Sequence, residues 1–296
     1  MNRSGQLSLL FALFCPLWSN LCAQAPLGSR CSLAGFPANS SRVMSDEALL
    51  EIYNTQSTLV STLESDALAS ASAGKRYRGA ARQVATSLHF QFPGFLRITG
   101  FAPFLGSRAF DLASDGREFR LLLPVDRQMK LFAGPAQAAA TSLDPKQNLR
   151  PQPIVDALHW PRGELDRSSP APRNSRVSRT LSLLLAPVAG QPRTAKVKFD
   201  LARGTVSSLE IQSPGLGLVT AIHYADWEKA DNLSAEAAAC YPRQIAINQP
   251  KDALLLDLRI MHVALNAQIP PARFLLNPPR GISVVSLSLS GAPNAP

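Results

Sequence analysis

Histidines and carboxylates are the side chains best suited to catalysis or metal binding, and their spacing here favours neither. The four histidines, His89, His159, His223 and His262, occur singly and far apart. Metal sites and catalytic pairs need such residues grouped at fixed spacings. The sequence also lacks the G-x-S-x-G, H-E-x-x-H, P-loop and G-x-G-x-x-G motifs. We therefore expect a protein that is not an enzyme and that needs neither a metal nor a cofactor.

The first 25 residues have the pattern of an export signal. Arg3 supplies a positive charge, residues 7–18 (LSLLFALFCPLW) are apolar, and residues 22–25 (CAQA) offer small side chains for cleavage. The apolar run is shorter than the roughly 20 residues that span a bilayer. We therefore expect an exported, periplasmic protein.

Three cysteines could anchor or cross-link the exported chain. Cys22 is a candidate lipid-attachment site that would anchor the chain to the outer membrane, but residues 19–21 (SNL) match a bacterial lipobox poorly. Ordinary cleavage of the leader is the alternative. Cys31 and Cys240 are a candidate disulfide, because export leads to an oxidising compartment. Two unrelated thiols are the alternative reading of this pair.

The formal net charge of +9 is concentrated in a few places. Residues 75–78 (KRYR), Arg82 and residues 162–179 carry much of the excess. For an exported chain, nucleic acid is excluded as a partner. An anionic membrane surface or an acidic protein would suit this charge, and an ordinary solvated surface is the alternative.

Two or three helices are expected, and two of them can be placed in the sequence. Residues 44–66 carry apolar side chains at helical spacing, with Ser45 as N-cap and acidic residues in the first turn. A small-residue loop follows at 69–74. The second helix is short and lies in the proline-bracketed stretch 151–161, and residues 162–179 after it read as a mobile basic loop.

The remaining sequence alternates between apolar and polar residues, as antiparallel strands with one buried face do. About eleven such strands are expected, separated by Gly, Pro, Asn and Asp. The fold class is α+β. We predict a single curved antiparallel β-sheet, a half-barrel, with helices covering its concave face as a partial lid over an apolar hollow.

One turn is unexpectedly apolar. Phe101, Phe104 and Leu105 surround Pro103 just before Gly106, where turn chemistry favours polar residues. Such side chains either fold back under the first helix or form an exposed apolar tip.

Four stretches carry a resemblance to a known family. They are APFLGSRAFDLASDG (102–116), LVTAIHYADWEKADN (218–232), YPRQIAINQPKDALLLDLRIMHVALN (241–266) and ARFLLNPPRGISV (272–284). With the order of elements, they resemble the superfamily of LolA, the periplasmic lipoprotein carrier, and LolB, the outer-membrane lipoprotein receptor. The Pro-Phe-Leu-Gly loop is closer to LolB. The resemblance implies a half-barrel that holds acyl chains, and a protruding loop, here Phe101, Phe104 and Leu105, that helps place them in a membrane.

The alternating strands supply candidates for the wall of an acyl-chain cavity. Ordinary core packing is the alternative for each of them singly. The candidates are Leu96, Ile98, Phe110, Leu112, Phe119, Leu121, Leu123, Leu183, Val197, Phe199 and Leu209.

The expected organisation is an export segment (1–25), a tether (26–43), a LolA/LolB-like lipid-binding domain (44–291) containing the basic loop, and a short tail (292–296). We expect a monomeric envelope protein that binds acyl chains of lipoproteins or lipids, in their transport or in outer-membrane insertion. Its partners would be a periplasmic lipoprotein carrier and the membrane surface. The alternative is a non-catalytic assembly or docking protein that holds a hydrophobic segment of another protein. A weaker third reading is binding of a small apolar metabolite or glycolipid.

Overall fold

The computed structural model of the chain describes residues 31–36, 44–73, 83–102, 107–125, 128–136, 145–170, 174–188, 190–232 and 239–287. They form one large curved, unclosed sheet of fourteen strands with two α-helices. The spatial order of the strands is β14-β6-β5-β4-β3-β2-β1-β13-β12-β11-β10-β9-β8-β7. All pairings are antiparallel except that of β14 with β6, which is parallel.

Helix α1 spans Asp46–Leu59 and helix α2 spans Pro151–Leu158. The strands are β1 (Thr62–Ala73), β2 (Gln83–Gln91), β3 (Phe95–Phe101), β4 (Arg108–Asp115), β5 (Glu118–Val125), β6 (Gln128–Pro135), β7 (Gly163–Leu165), β8 (Ser178–Val188), β9 (Gln191–Asp200), β10 (Thr205–Ser213), β11 (Gly217–Lys229), β12 (Cys240–Gln249), β13 (Leu254–Leu265) and β14 (Ser283–Ser286). Two short 3-10 helices lie at Pro145–Asn148 and Pro271–Phe274.

Helix α1 begins as its sequence predicts but ends earlier. The Ser45 hydroxyl accepts a hydrogen bond from the backbone N–H of Ala48, and Leu49 and Tyr53 are buried. The expected helix to residue 66 was wrong, because the chain turns after Leu59 and continues as strand β1.

Strand β1 replaces the end of the predicted helix and the predicted loop at 69–74. Its Ala67 and Ala69 are buried, and β13 and β2 pair with it on either side. Alanine and serine have low intrinsic strand preference, so this strand is specified by its two neighbours rather than by its own residues.

Two further strands raise the expected count of about eleven to fourteen. Strand β7 lies inside the predicted basic loop 162–179 and pairs with β8, which itself begins at Ser178. Strand β14 pairs with β6 at the opposite edge. Both edge strands are very short, a common way of protecting the open edges of a sheet.

The outer face of strands β3 to β6 is covered by the chain that follows β13. Leu276 packs there in a small apolar cluster with Ala113, Leu122 and Leu131. Beside them the Arg97 guanidinium binds both carboxylate oxygens of the fully buried Asp111, with Nε to Oδ1 at 2.5 Å and an Nη to Oδ2 at 2.7 Å. The carbonyl oxygen of Leu275 accepts a further hydrogen bond from Arg97.

The segment before α1 is attached to the sheet by a disulfide. The structure joins Cys31 to Cys240 at the start of β12, with the two Cα atoms 5.8 Å apart. The backbone N–H of Leu33 also donates to the carbonyl of Gly204 in the β9–β10 turn, at 2.9 Å. Residues 31–36 are therefore fixed to two separate strand ends.

We expect the Cys31→Ser/Cys240→Ser variant to fold but to lose about 3–5 kcal/mol of unfolding free energy. The disulfide closes a loop with a sequence separation of 209 residues, so it removes much entropy from the unfolded chain. Urea unfolding with and without a reducing agent measures this. The reducing agent should shift the wild type to the stability of the variant and leave the variant unchanged. Equal stability of the oxidised wild type and the variant would contradict the expectation.

Candidate functional site

The predicted wall residues lie together on the inner face of the sheet. Phe110 is half-buried and packs against the core. The other ten are buried members of one apolar cluster: Leu96, Ile98, Leu112, Phe119, Leu121, Leu123, Leu183, Val197, Phe199 and Leu209. Strand pairing sets some of them side by side, with Ile98 opposite Leu112 and Leu112 opposite Leu121.

The same cluster contains the buried faces of both helices. Leu49, Ile52 and Tyr53 of α1 and Ile154 and Leu158 of α2 belong to it. The predicted partial lid over a hollow was therefore wrong in one respect, because the helices pack directly on the wall residues and occupy the space between them. A cavity between α2 and strands β11 and β12 has a volume of about 10 Å³, which is room for about one water molecule.

Three tyrosine hydroxyls hold the C-terminal end of helix α2 and the residues that follow it. Tyr224 donates to the carbonyl of Ala157 at 3.2 Å, Tyr241 to that of Leu158 at 3.1 Å, and Tyr53 to that of Pro161 at 3.0 Å. The last carbonyls of a helix have no partner within the helix, so Tyr224 and Tyr241 satisfy groups that would otherwise be buried unpaired. Burial raises the pKa of each tyrosine, and each therefore stays a donor at neutral pH.

An ion pair fixes the side of the same helix. An Nη of Arg193 lies 2.8 Å from Oδ2 of Asp156, and the Gln152 amide donates to Oδ1 at 3.0 Å. Burial raises the pKa of Asp156, while Arg193 acts in the opposite direction. Because both charged groups are largely removed from water, loss of either one would leave the other uncompensated.

An aromatic cluster surrounds the end of α2. The ring centroids of Tyr53 and Trp160 are 5.3 Å apart and stacked, those of Trp160 and Tyr224 are 5.7 Å apart, and those of Trp160 and Trp227 are 5.9 Å apart. This aromatic cluster was not predicted from the sequence. The spacing of Tyr224, Trp227 and Tyr241 around one strand connection was the available signal, but only tertiary packing brings Tyr53 and Trp160 to it.

His159 follows α2 and lies between the aromatic residues and the surface. Its ring is 4.7 Å from that of Phe92, which is 54% exposed, and 5.7 Å from that of buried Phe90. Burial lowers the pKa of His159, so the ring is neutral at pH 7.

Arg150 is a second buried charge next to the wall residues. Its guanidinium carbon lies 5.1 Å from the centre of the Phe119 ring, and one Nη donates to the carbonyl of Gln147 at 2.7 Å. Burial lowers the pKa of Arg150 to about 10, and Asp252 partly offsets this. Arg150 was not predicted from the sequence as a residue of the site.

Several predicted site residues lie outside the described residues. These are Cys22, Phe104, Leu105 and the basic stretch 75–78. Phe101, the last residue of β3, is half-buried. The described part of the chain contains no group of three or more potential metal ligands.

Two of the predicted surface features, the basic residues 75–78 and the apolar Phe104 and Leu105, belong to connections between strands, and the structure describes the strand ends on either side. Strand β1 ends at Ala73 and β2 begins at Gln83, whereas β3 ends at Phe101 and β4 begins at Arg108. In a run of antiparallel neighbours, alternate connections lie at the same end of the sheet. The connections β1–β2 and β3–β4 therefore start and finish at one end.

No helix among the described residues is long and apolar enough to cross a membrane.

Comparisons with known proteins give a likeness of fold. No protein-family model matches the chain, and no curated protein sequence matches it. A solved DUF1329 family protein from Desulfovibrio piger is similar over 77% of this chain and 96% of its own, with a TM-score of 0.50 and 13% identity.

Two other solved structures are similar at a TM-score of 0.48. An outer membrane lipoprotein-sorting protein domain from Vibrio parahaemolyticus matches 76% of this chain and 95% of its own at 9% identity. A LolA superfamily protein from Nitrosomonas europaea matches 79% and 99% at 12% identity. These neighbours are consistent with the LolA/LolB-like fold that the resemblance implies. At these identities a likeness shows the fold alone.

Because the folded-state pKa of His159 is lowered, we expect acid to destabilise the protein partly through this residue. Below its ordinary pKa of 6.5 the unfolded chain binds a proton that the folded chain resists, so stability present above pH 6.5 is lost as the pH falls. His159→Gln should therefore reduce the loss of urea midpoint between about pH 7.5 and about pH 5.5. The exposed His223, changed to Gln, is the matched control. An unchanged pH dependence in His159→Gln would show that this residue does not contribute.

Proposed function

We propose that this protein binds acyl chains of lipoproteins or lipids on the inner face of its open sheet, and that it acts in lipoprotein or lipid transport or in outer-membrane insertion. The observation that carries this proposal is the unclosed sheet whose continuous apolar face is covered by two helices, of which the short α2 is held at one end by hydroxyl-to-carbonyl hydrogen bonds. A cover of that kind can be exchanged for a ligand of similar chemistry.

The free energy of burying apolar groups favours the replacement of α2 by an acyl chain. Burying an acyl chain of about 16 carbons gains about 12 kcal/mol, at about 0.8 kcal/mol per CH2. Exposing Ile154, Val155 and Leu158 of α2 costs about 5–9 kcal/mol, at about 1.5–3 kcal/mol per side chain. In apolar burial alone, a single chain therefore outweighs the three side chains it replaces, and a second chain increases the difference.

Displacement of α2 would also leave the hydroxyls of Tyr224 and Tyr241 and one Nη of Arg193 without the partners that α2 supplies. Unpaired buried donors cost about 1–3 kcal/mol each, so a ligand with carbonyl oxygens at the head of its chains is favoured over a plain hydrocarbon. Lipoproteins and phospholipids both carry such ester or amide carbonyls.

The sequence supports a location in the envelope and contact with a membrane. The leader at 1–25 directs export, and Cys22 is the candidate anchor to the outer membrane. The connections β1–β2 and β3–β4 at one end of the sheet contain the basic residues 75–78 and the apolar Phe104 and Leu105. Basic and apolar residues together suit the surface of an anionic bilayer. The proposed partners are a periplasmic lipoprotein carrier and this membrane surface, with the protein acting as a monomer.

One observation favours a second candidate. The wall residues are in contact with the helices, so the same inner face could hold an apolar segment of another envelope protein in place of α2. In that case the protein would be a non-catalytic assembly or docking factor.

Lipid extraction distinguishes the two candidates. The protein is expressed with its own leader in a Gram-negative host, purified gently and extracted with organic solvent for mass spectrometry. We expect a reproducible acyl species close to one per protein. An empty extract from well-folded protein would favour the docking reading.

The ion pair on α2 should control access to the inner face. We expect Arg193→Met to raise the rate of acyl-chain binding, because it leaves buried Asp156 without its counter-charge and weakens docking of the helix by about 3–5 kcal/mol. The double variant Asp156→Leu/Arg193→Met restores an uncharged contact and should return the rate towards that of the wild type. Stopped-flow binding of a fluorescent fatty-acid ester measures it. Equal rates in all three proteins would contradict a displaceable α2.

The β3–β4 connection, which contains Phe104 and Leu105, should matter for the transfer of acylated cargo to a membrane and not for folding. We expect Phe104→Glu/Leu105→Glu to retain the circular dichroism spectrum and acyl binding, but to abolish transfer of acylated cargo to liposomes, because two carboxylates oppose entry into the bilayer. Ser107→Glu, at the edge of the same connection, is the control. Loss of folding would instead place the two side chains in the core.

A further inference from the structure

The small cavity at the end of α2 has the composition of a polar subsite within an apolar site. It lies where α1 ends, α2 ends and β12 begins, and its volume is about 10 Å³. Its lining consists of Gln56, Val60, Ala157, Leu158, His159, Trp160, Trp227, Tyr241 and Pro242. Most of this surface is aromatic or aliphatic, so the few polar atoms that it contains decide what it can hold.

Trp227 supplies a hydrogen-bond donor without an acceptor. Its Nε1 is buried and has no hydrogen-bond partner among the described residues. An indole N–H can only donate, and a buried donor left unpaired is unfavourable. The other amide and hydroxyl donors on the lining are already used, since Gln56 donates to the carbonyl of Cys240 and Tyr241 to that of Leu158. Trp227 is therefore the donor on this lining that can bind an acceptor oxygen of a ligand.

The charge of the lining indicates which acceptor fits. None of the nine lining residues is Lys or Arg. His159 is neutral at pH 7 because burial lowers its pKa, and Arg193 is paired with Asp156. A carboxylate placed here would lose water without gaining a counter-charge, which is costly. An uncharged carbonyl oxygen, as in an ester or amide, avoids that cost.

Phe92 and His159 lie on the solvent side of the cavity. The exposed Phe92 ring lies against the His159 ring, and His159 in turn borders the cavity and contacts Phe90 on the inner face. A ligand with its carbonyl at Trp227 can therefore direct its chain towards Phe90 and the inner face, with its head group towards Phe92, while Ala157 and Leu158 still line the cavity.

We propose that this cavity is the carbonyl-recognition subsite for a neutral acyl ester or amide, with the Trp227 Nε1–H as the donor. The proposal rests on the proposed function and deepens it, because it selects acylated lipids and lipoproteins over free fatty acids. The carbonyl chemistry is shared by lipoprotein acyl groups and phospholipid esters, and the lipid extraction described above distinguishes these sources.

The tryptophans allow a direct test. The sequence contains three, Trp18 in the leader, Trp160 and Trp227, so Trp160→Phe leaves Trp227 as the only one after the leader. The methyl esters of 5-doxyl-stearate and 16-doxyl-stearate carry a fluorescence quencher near the carbonyl and near the chain end, respectively. We expect the 5-doxyl ester to quench Trp227 more strongly than the 16-doxyl ester does. Equal or reversed quenching would overturn the proposed position of the carbonyl.

Trp227→Phe then tests the hydrogen bond, because it keeps an aromatic ring and removes only the donor. Binding of radiolabelled methyl palmitate should weaken about fivefold to tenfold, the value of one neutral hydrogen bond. Binding of radiolabelled hexadecane, which has no carbonyl, should be unchanged. In the wild type, methyl palmitate should bind more tightly than palmitate at neutral pH.

The outcomes separate this inference from the proposed function. If methyl palmitate binds the wild type and Trp227→Phe equally well, the subsite assignment is wrong while acyl binding stands. Equal weakening of the ester and of hexadecane would show that Trp227 only supports the fold, which also overturns the assignment. If neither ligand binds the wild type, the proposed function itself fails.

Discussion

An open sheet with one apolar face must have that face covered, and most of this structure follows from that constraint. The inner side chains of this fourteen-stranded sheet cannot all remain in water, because each large one exposed costs about 1.5–3 kcal/mol. A closed barrel would bury them against one another. Here the edges stay apart, protected by the short strands β7 and β14, so the cover has to come from helices α1 and α2.

The two helices cover the sheet with different kinds of attachment. Helix α1 is continuous with the central strand β1 and lies close to the disulfide-bonded segment 31–36, so its position is fixed by the chain itself. Helix α2 is only eight residues long, and its specific contacts are hydrogen bonds from tyrosines and one ion pair. Apolar packing has no direction, so these polar contacts decide where α2 sits and what could replace it.

Much of the fold could be predicted, because apolar and polar residues alternate along a strand that has one buried face, and this pattern is visible in the sequence. Strands β3, β4 and β5, with their wall residues, are clear examples. Strand β1 could not be predicted, since Ala67 and Ala69 become strand residues only between β2 and β13. Strand β7 has only three residues, too few to show an alternating pattern. Strand β14 forms by pairing with the edge strand β6, which the local sequence of β14 does not reveal.

The candidate site was harder to predict than the fold, because most of its residues come together only in the folded chain. The wall residues are spread along strands with a regular pattern, but Tyr53, Trp160 and Trp227 come together from a helix, a loop and a strand far apart in sequence. Arg150 and the pair Asp156 and Arg193 have ordinary sequence surroundings. Their importance arises from burial, which only the packed structure determines.

The disulfide also determines how the domain would respond to force. Cys31 is bonded to Cys240 at the start of strand β12. A pull on the chain before Cys31 is therefore transmitted by a covalent bond to a strand that has neighbours on both sides, and not to α1. Without the bond the same load would pass along the chain into α1.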